Sequence, residues 1–200
     1  MSAALAALVV VVVGYVVGSV PFAGWVARRR AGLDLRDVGD RNPGYWNAKE
    51  SLGRRAAVPV FVGDVAKGAV AAGLGVLLAP DGDWWIAYAG GFAVMVGHAW
   101  PVFAGFRGGR SVLTFVGAAV VLSPITAAIA VGVLLAVTAW RGFAWGARAG
   151  VFVYPLVQLA VDGPYRTAAT GVLMTLIGVR FATAAMASRR SRGRATAGAD

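Results

Sequence analysis

Three short polar clusters interrupt an otherwise apolar chain, and each has residue types that can bind an anion. The first, Asp34 to Asn47, is rich in Gly, Asn and Pro, whose exposed backbone N–H groups can cradle a phosphate. The second places Asp64 and Lys67 three residues apart, on one side of a helix. The third, Gly97 to Thr114, holds the only histidine, His98, and a Gly-Gly-Arg turn that opens an apolar helix. Because free N–H groups at a helix start attract anions, the pattern indicates anionic ligands.

Each cluster also has a purely structural interpretation. The first is compatible with an ordinary cytoplasmic loop that carries surface charges. Asp64 and Lys67 could neutralise each other at a membrane interface, with the lysine reaching towards water. A lone histidine such as His98 is more often structural than catalytic. The residue types alone leave both interpretations open.

The composition defines the environment of these clusters. Of the 200 residues, 58% are hydrophobic and 14% are charged, against about 25% charged in soluble domains. The mean hydropathy is +0.70. Long uncharged runs, rather than periodic apolar faces, predict an all-α polytopic membrane protein of the cell membrane. The lipid bilayer is therefore an expected partner.

Charge and cysteine content exclude several functions. The net charge of +10 would suggest nucleic acid in a soluble protein, but here the basic residues flank apolar runs. They favour membrane orientation and anionic ligands instead, with no nucleic-acid partner. The absence of cysteine excludes disulfides and cysteine-bound metals, and one histidine excludes a multi-histidine site. We therefore expect no metal.

About seven transmembrane helices are predicted, some of them short or broken. Ser123-Pro124 divides a long uncharged run into two short helices. The first run precedes its arginines, which indicates an uncleaved helix with its start outside. The predicted spans are 3–27, 56–80, 84–106, 111–122, 125–139, 149–161 and 167–187.

The distribution of charge favours this topology. Seven spans place 16 of the 19 Lys and Arg residues in cytoplasmic segments, including a loop at 141–148. The C-terminus is then cytoplasmic. A single tilted helix over 111–140 would leave six spans and put the C-terminal arginines outside. We expect one membrane-embedded domain, 1–188, and a disordered basic tail, 189–200.

Four segments in this order resemble the signature segments of the bacterial acyl-phosphate:glycerol-3-phosphate acyltransferases. They are Gly18-Ser19-Val20-Pro21-Phe22, Asp34-Leu35-Arg36 through Asn47, Gly63-Asp64 to Gly68, and Gly97-His98 to Thr114. The resemblance implies a seven-helix membrane enzyme with its active site near the cytosolic face. It implies transfer of a fatty acyl group from acyl phosphate to the 1-hydroxyl of glycerol 3-phosphate, or of a related polyol phosphate. The product would be lysophosphatidic acid for phospholipid synthesis, with no metal or cofactor.

The resemblance also implies residue roles. His98 would be catalytic, bonding or orienting the acceptor. The fatty chain would lie in a groove between helices that is open to lipid. The implied substrate-binding residues are Asn42, Gly44 and Asn47 in a polar loop, Lys67, Gly108, Gly109 and Arg110 at phosphate, and Thr114.

The chain departs from the family pattern at several positions, and it lacks the family's C-terminal His-Arg-x-Asn segment. The differing residues are Asp40, Arg41, Tyr45, Trp46, Glu50 and Ser111. The two acidic replacements would place like charge beside a phosphate, and the two aromatic ones would fill volume in the site.

Three interpretations of these departures stay open. Arg41 and Arg54 could re-form the phosphate cradle, or the acceptor could differ from glycerol 3-phosphate. Catalysis could instead be lost, leaving a lipid-binding or partner-binding membrane subunit. An unrelated transporter or channel is a separate alternative, but the charges cluster at one face and the sequence has no evident inverted repeat. The sequence does not determine the oligomeric state.

Overall fold

The computed structural model describes the backbone of residues 1–197 and side chains as far as Arg189. Within that range the chain forms helices joined by short turns and by two longer segments, 32–44 and 100–111. They are α1 Ala3–Gly18, α2 Phe22–Ala31, α3 Tyr45–Leu52, α4 Arg54–Leu78, α5 Trp85–Ala99, α6 Val112–Leu122, α7 Pro124–Arg141, α8 Phe143–Asp162 and α9 Pro164–Ala197, with a 3₁₀ turn at Val102–Ala104.

The helices confirm a multi-pass membrane protein of about seven spans. Six helical segments of the described chain are long and apolar enough to cross a bilayer, and α6 is a shorter apolar helix. With 11 residues, α6 is about 16 Å long. The break predicted at Ser123-Pro124 is confirmed, since α6 and α7 meet there. The orientation of the bundle across the membrane stays a prediction.

The first predicted span is wrong in being continuous, because the chain breaks between α1 and α2. Pro21 has no N–H to donate and stands directly before α2. The Ser19 hydroxyl donates to the Tyr15 carbonyl at 2.9 Å and accepts the Val102 N–H at 3.4 Å. The break is thereby tied to the segment that follows α5.

The predicted loop at 141–148 begins at the right place but is too long. Gly142, with φ +86°, is the turn between α7 and α8, and Arg148 lies inside α8. A left-handed glycine reverses the chain in one residue, so the two helices form a tight hairpin. The predicted disordered tail, 189–200, stays a prediction: α9 continues to Ala197, and 198–200 lie outside the described residues.

Most of the charged segments meet at one end of the bundle. Arg110, after α5, donates to Asp40 at 2.8 Å. Trp46 on α3 stacks on Phe143 at the start of α8, with ring centroids 6.1 Å apart. This end therefore combines the segment before α4, the turn before α6 and the α7–α8 turn.

A buried polar network fixes the break between α6 and α7. Gln158 on α8 is fully buried and donates to the Ser123 hydroxyl at 2.7 Å and to the Tyr88 hydroxyl at 3.0 Å. Ser123 in turn donates to Asp162 at 2.6 Å. Because unpaired polar groups are costly in lipid, this network ties α8 to the break.

Close backbone contacts hold the central helices together. A Cβ on Gly117 of α6 would overlap the Val65 carbonyl of α4, and a Cβ on Gly68 would overlap the Thr114 carbonyl. Small residues at such crossings let helices approach closely in lipid, where packing drives association.

We expect Gly117→Val to lower the unfolding midpoint in detergent by about 3–10 °C, because overpacking a helix contact costs about 1–3 kcal/mol. Gly132→Val is the matched control. It makes the same change on α7, where a Cβ meets no atom of the described chain within 4 Å. Equal midpoints for the two variants would contradict the α4–α6 contact.

Candidate active site

Three ionisable side chains meet in the interior of the bundle. Asp64 and Lys67 lie one helical turn apart on α4, and the Lys67 ammonium is 2.8 Å from the Asp64 carboxylate. His98, near the end of α5, places its Nδ1 2.6 Å from that ammonium and 3.5 Å from Asp64. All three side chains are at least nine-tenths buried. The α4 pair and the lone histidine thus form one cluster.

The lysine determines which imidazole nitrogen is free. An ammonium only donates hydrogen bonds, so Nδ1 of His98 must accept from Lys67. The Lys67 ammonium also contacts Asp64 and the Val20 carbonyl, the latter at 3.5 Å. Its three hydrogens are therefore all directed at atoms of the chain. Nε2 of His98 then carries the other hydrogen and can donate it.

The Gly108-Gly109 turn covers the Nε2 side of the histidine. A Cβ on Gly109 would overlap His98 Nε2, so only glycine fits there. The N–H groups of Gly108 and Gly109 donate to the carbonyls of Ala99 and His98, each at 3.1 Å. They are occupied within the chain, whereas the sequence predicted free amides for a phosphate. The two glycines therefore provide space beside His98 rather than free N–H donors for a ligand.

An open cleft leads to this cluster. Its inner wall includes the three clustered side chains and both glycines of the turn. Three arginines add positive charge to its lining, and they are Arg28, Arg36 and Arg107. The cleft can therefore hold an anionic molecule beside a hydrogen-bond donor, His98 Nε2.

An ion pair connects two loops at this cleft. The Arg36 Nε lies 2.9 and 3.0 Å from the two oxygens of Asp34, and its Nη1 donates to the Ala104 carbonyl at 3.1 Å. The guanidinium hydrogen bond holds the pKa of the Asp34 carboxyl well below its usual range. The Asp34–Arg36 pair thus ties the segment after α2 to the segment after α5.

The lowered pKa fixes the pH range of this pair. The Asp34–Arg36 pair stabilises the folded protein fully above the pKa of an unfolded aspartate, about 3.9. This stabilisation is lost only as pH falls through the lower pKa of Asp34 in the folded protein. For a reaction catalysed at this cleft, Asp34→Asn should lower kcat/KM about three- to tenfold, by the same factor at every pH from 5 to 8. A loss that disappears between pH 5 and pH 6 would contradict this assignment.

The cleft contains only part of the predicted site. Lys67, His98, Gly108 and Gly109 line it, and the other five predicted residues do not. Asn47 is buried, but its amide donates to the carbonyls of Leu35 and Val38 at 2.8 and 2.9 Å. Its oxygen accepts from Ser51 at 3.2 Å, so both ends of the amide are hydrogen-bonded within the chain.

The remaining predicted residues also have contacts elsewhere. Arg110 pairs with Asp40, and Thr114 is fully buried at the α4–α6 contact. Asn42 and Gly44 lie next to each other at the start of α3, where the Gly44 N–H donates to the Asn42 carbonyl at 2.8 Å. These residues shape the loop and the helix contacts around the cleft.

The residues that depart from the family pattern are likewise outside the cleft. Asp40 is paired with Arg110, and Glu50 lies 3.2 Å from Lys49. Tyr45 packs edge-on against Phe61, and Trp46 stacks on Phe143. Arg41 and Arg54 are exposed and do not line the cleft, so they do not re-form a cradle there.

Several residues at the cleft were not selected from the sequence. Asp34 and Arg36 lay within a quoted motif, but their mutual contact depends on the loop conformation. Arg180 has a clearer signal, since a charge inside an apolar span usually has a specific partner. Its guanidinium donates to the carbonyls of Gly108 and Gly109 at 2.9 and 3.1 Å.

Fold and cleft together define a polytopic helical membrane protein with a cationic cleft at one end. The model of one family, glycerol-3-phosphate acyltransferase, matches residues 8–190. The chain belongs to the glycerol-3-phosphate acyltransferase family.

Individual relatives agree with this assignment. The chain is 38% identical over 133 residues to a glycerol-3-phosphate acyltransferase of Halalkalibacterium halodurans, covering 66% of this chain and 65% of that protein. It is 36% identical over 161 residues to one of Synechococcus sp., covering 80% and 79%. The match to the first of these therefore spans just under two thirds of the relative's length.

A solved structure shares the fold. The crystal structure of PlsY (YgiH), an integral membrane glycerol 3-phosphate acyltransferase, in its glycerol 3-phosphate form has a TM-score of 0.77 and 31% identity. The similarity covers 96% of this chain and 92% of that one. A second structure of PlsY, in the lysophosphatidic acid form, has a TM-score of 0.74 and 29% identity.

Proposed function

We propose that the protein transfers a fatty acyl group from acyl phosphate to glycerol 3-phosphate, or to a related polyol phosphate. The product is lysophosphatidic acid, made at the membrane for phospholipid synthesis. The observation that carries the proposal is the buried Asp64–Lys67–His98 cluster at an arginine-lined cleft. Support comes from family membership and from PlsY, whose two structures are a glycerol 3-phosphate form and a lysophosphatidic acid form.

The charge of the cleft suits both substrates. Each carries a phosphate, and arginine binds phosphate oxygens through paired, charge-assisted hydrogen bonds. Arg28, Arg36 and Arg107 bring three such groups to one cleft. Asp34 engages Arg36 through hydrogen bonds and also lies 3.6 Å from the guanidinium of Arg28, so the exposed Arg107 is the freest donor of the three.

The chemistry needs no enzyme nucleophile. Acyl phosphate is already activated: the acceptor hydroxyl oxygen attacks the acyl carbon, and the bond from that carbon to the phosphate oxygen breaks. The hydroxyl proton leaves with the released phosphate. His98 Nε2–H donates to the acceptor or to the carbonyl oxygen as charge develops there, and the cleft holds the reactants together.

An apolar groove adjoins the cleft and suits the fatty chain. It is lined by Phe22, Trp25, Val26 and Pro59, with Arg29 and Arg30 also at its edge. Phe22 and Trp25 line the cleft as well, so the two spaces share a wall. A lipid tail in this groove would place its acyl phosphate near the cationic cleft.

The donor can be tested with purified protein in lipid nanodiscs. We expect palmitoyl phosphate, but not palmitoyl-CoA, to acylate glycerol 3-phosphate, measured as lysophosphatidic acid by mass spectrometry. No transfer from either donor by folded protein would overturn the proposal. Equal transfer from palmitoyl-CoA and from palmitoyl phosphate would overturn the assignment of acyl phosphate as the donor.

A second function, as an inactive lipid-binding relative, rests on the departures from the family pattern. The combined reversion Asp40→Ser, Tyr45→Ala, Trp46→Thr and Glu50→Arg distinguishes the two. Since none of these residues lines the cleft, we expect less than about a threefold change in rate. Activity that appears only in the reverted protein would favour the inactive relative.

A further inference from the structure

Arg180 occupies an unusual position for a charged residue. It lies in α9, within a segment apolar enough to cross a membrane, where an unpaired charge is costly. Its Nη2 donates to the Gly108 carbonyl at 2.9 Å and its Nε to the Gly109 carbonyl at 3.1 Å. The guanidinium carbon also lies 5.1 Å from the centre of the Trp100 ring. The arginine is therefore bound to the turn rather than to an acidic partner.

The turn is held from two sides. The Gly108 and Gly109 carbonyls accept from Arg180, while their N–H groups donate to the carbonyls of Ala99 and His98. Four hydrogen bonds thus fix two residues that have no side chain to anchor them. Two of the four come from one guanidinium, so removing it leaves the two glycines hydrogen-bonded only through their N–H groups to the end of α5.

The next residue of α9 strengthens this attachment. Phe181 lies against the guanidinium of Arg110, whose carbon is 4.7 Å from the ring centre. Consecutive residues of α9 therefore contact consecutive parts of the 108–110 segment. Through these contacts a mainly lipid-facing helix reaches the cleft.

The position of the turn determines the space beside His98. Gly109 packs so closely on His98 Nε2 that even a Cβ would overlap it, and a Cβ on Gly108 would overlap the His98 carbonyl. A small displacement of the turn would therefore change the gap in which Nε2 can meet a substrate oxygen. Misplacement of a reacting group by about 1 Å can cost 100-fold in rate.

We propose that Arg180 is a positioning residue: it clamps the Gly108 and Gly109 carbonyls and so holds the turn at the distance from His98 that acyl transfer needs. This inference rests on the proposed function. It predicts a loss in kcat rather than in substrate binding, because the cleft arginines are untouched.

Kinetics of purified variants test the role. Arg180→Met should lower kcat at least about 20-fold while each KM changes less than about threefold. Arg180→Lys, which can still donate to one carbonyl, should recover kcat to within about fivefold of wild type. Arg166→Met is the matched control on the same helix: its guanidinium pairs with Asp162 at 3.8 Å, and kcat should stay within about twofold.

Hydrogen exchange tests the clamp without any turnover. In Arg180→Met, amides in a peptide covering 104–112 should exchange at least about tenfold faster, whereas a peptide from the first turns of α9 should not change. Arg180→Lys should show intermediate exchange, which keeps the test valid if the methionine variant folds poorly.

The outcomes separate the two proposals. Faster exchange together with reduced kcat supports the positioning role. Unchanged exchange in both variants overturns it, as does faster exchange with wild-type kcat. If wild-type protein transfers no acyl group, the proposed function fails and so does the positioning role, even where exchange shows that Arg180 holds the turn.

Discussion

Replacement of His98 by alanine should lower kcat for acyl transfer by about 100-fold or more, as loss of a preorganised donor does in other acyl-transfer sites. The physical reason is the orientation of the ring. Lys67 occupies Nδ1 at 2.6 Å, so Nε2–H is directed to the side covered by Gly109. Alanine removes this donor without filling the space. The measurement is kcat at saturating acyl phosphate and glycerol 3-phosphate.

Two controls accompany this variant. The unfolding midpoint of His98→Ala should fall only slightly, since Lys67 keeps its contact with Asp64. Its kcat should nevertheless fall as stated. Because the chain has a single histidine, ¹⁵N NMR of histidine-labelled protein reports this ring alone. We expect a protonated Nε2 and an accepting Nδ1. Folded His98→Ala protein with near wild-type kcat would contradict the account of the cleft.

Lys67→Met should abolish transfer and also destabilise the protein. The ammonium is 2.8 Å from Asp64, and both side chains are almost completely buried. Breaking a buried pair by removing one partner costs about 3–5 kcal/mol, because the remaining charge is left unpaired. We therefore expect a lower free energy of unfolding together with loss of activity, measured on the same preparation.

The double variant Asp64→Asn with Lys67→Met separates stability from function. Removing both charges should recover most of the lost stability, but His98 stays without its lysine partner and activity should remain absent. Lys49→Met is a control outside the cleft. Lys49 pairs with the exposed Glu50 and lies over the Trp46 ring, and each such contact contributes at most about 1 kcal/mol. Wild-type stability of Lys67→Met would refute the buried pair.

The fold was largely predictable because apolar runs directly reflect the thickness of a bilayer. The apolar runs predicted about seven spans, and Ser123-Pro124 predicted the break between α6 and α7. The break before α2 was missed, because Pro21 also resembles a tolerated proline within a membrane helix. The start of α8 was predicted too late, since Arg148 was interpreted as the end of a loop although it lies inside α8.

The site was predictable only in part. Asp64 and Lys67 share one helix face, so their spacing predicted the pair. Contact with His98 joins residues 31 positions apart and depends on how α4 crosses α5. Asn47 was selected for its polarity, yet its amide nitrogen donates hydrogen bonds to the carbonyls of Leu35 and Val38. The direction in which such a side chain points depends on tertiary packing, so the local sequence does not predict it.

The most direct test compares lysophosphatidic acid formed from palmitoyl phosphate and glycerol 3-phosphate by wild-type protein and by the Asp64→Asn, Lys67→Met double variant. Both proteins are first shown to be folded by thermal unfolding in the same nanodiscs. The account predicts product from wild type and at least about 100-fold less from the double variant. Equal product from the two proteins, or none from folded wild type with any polyol phosphate, would contradict it.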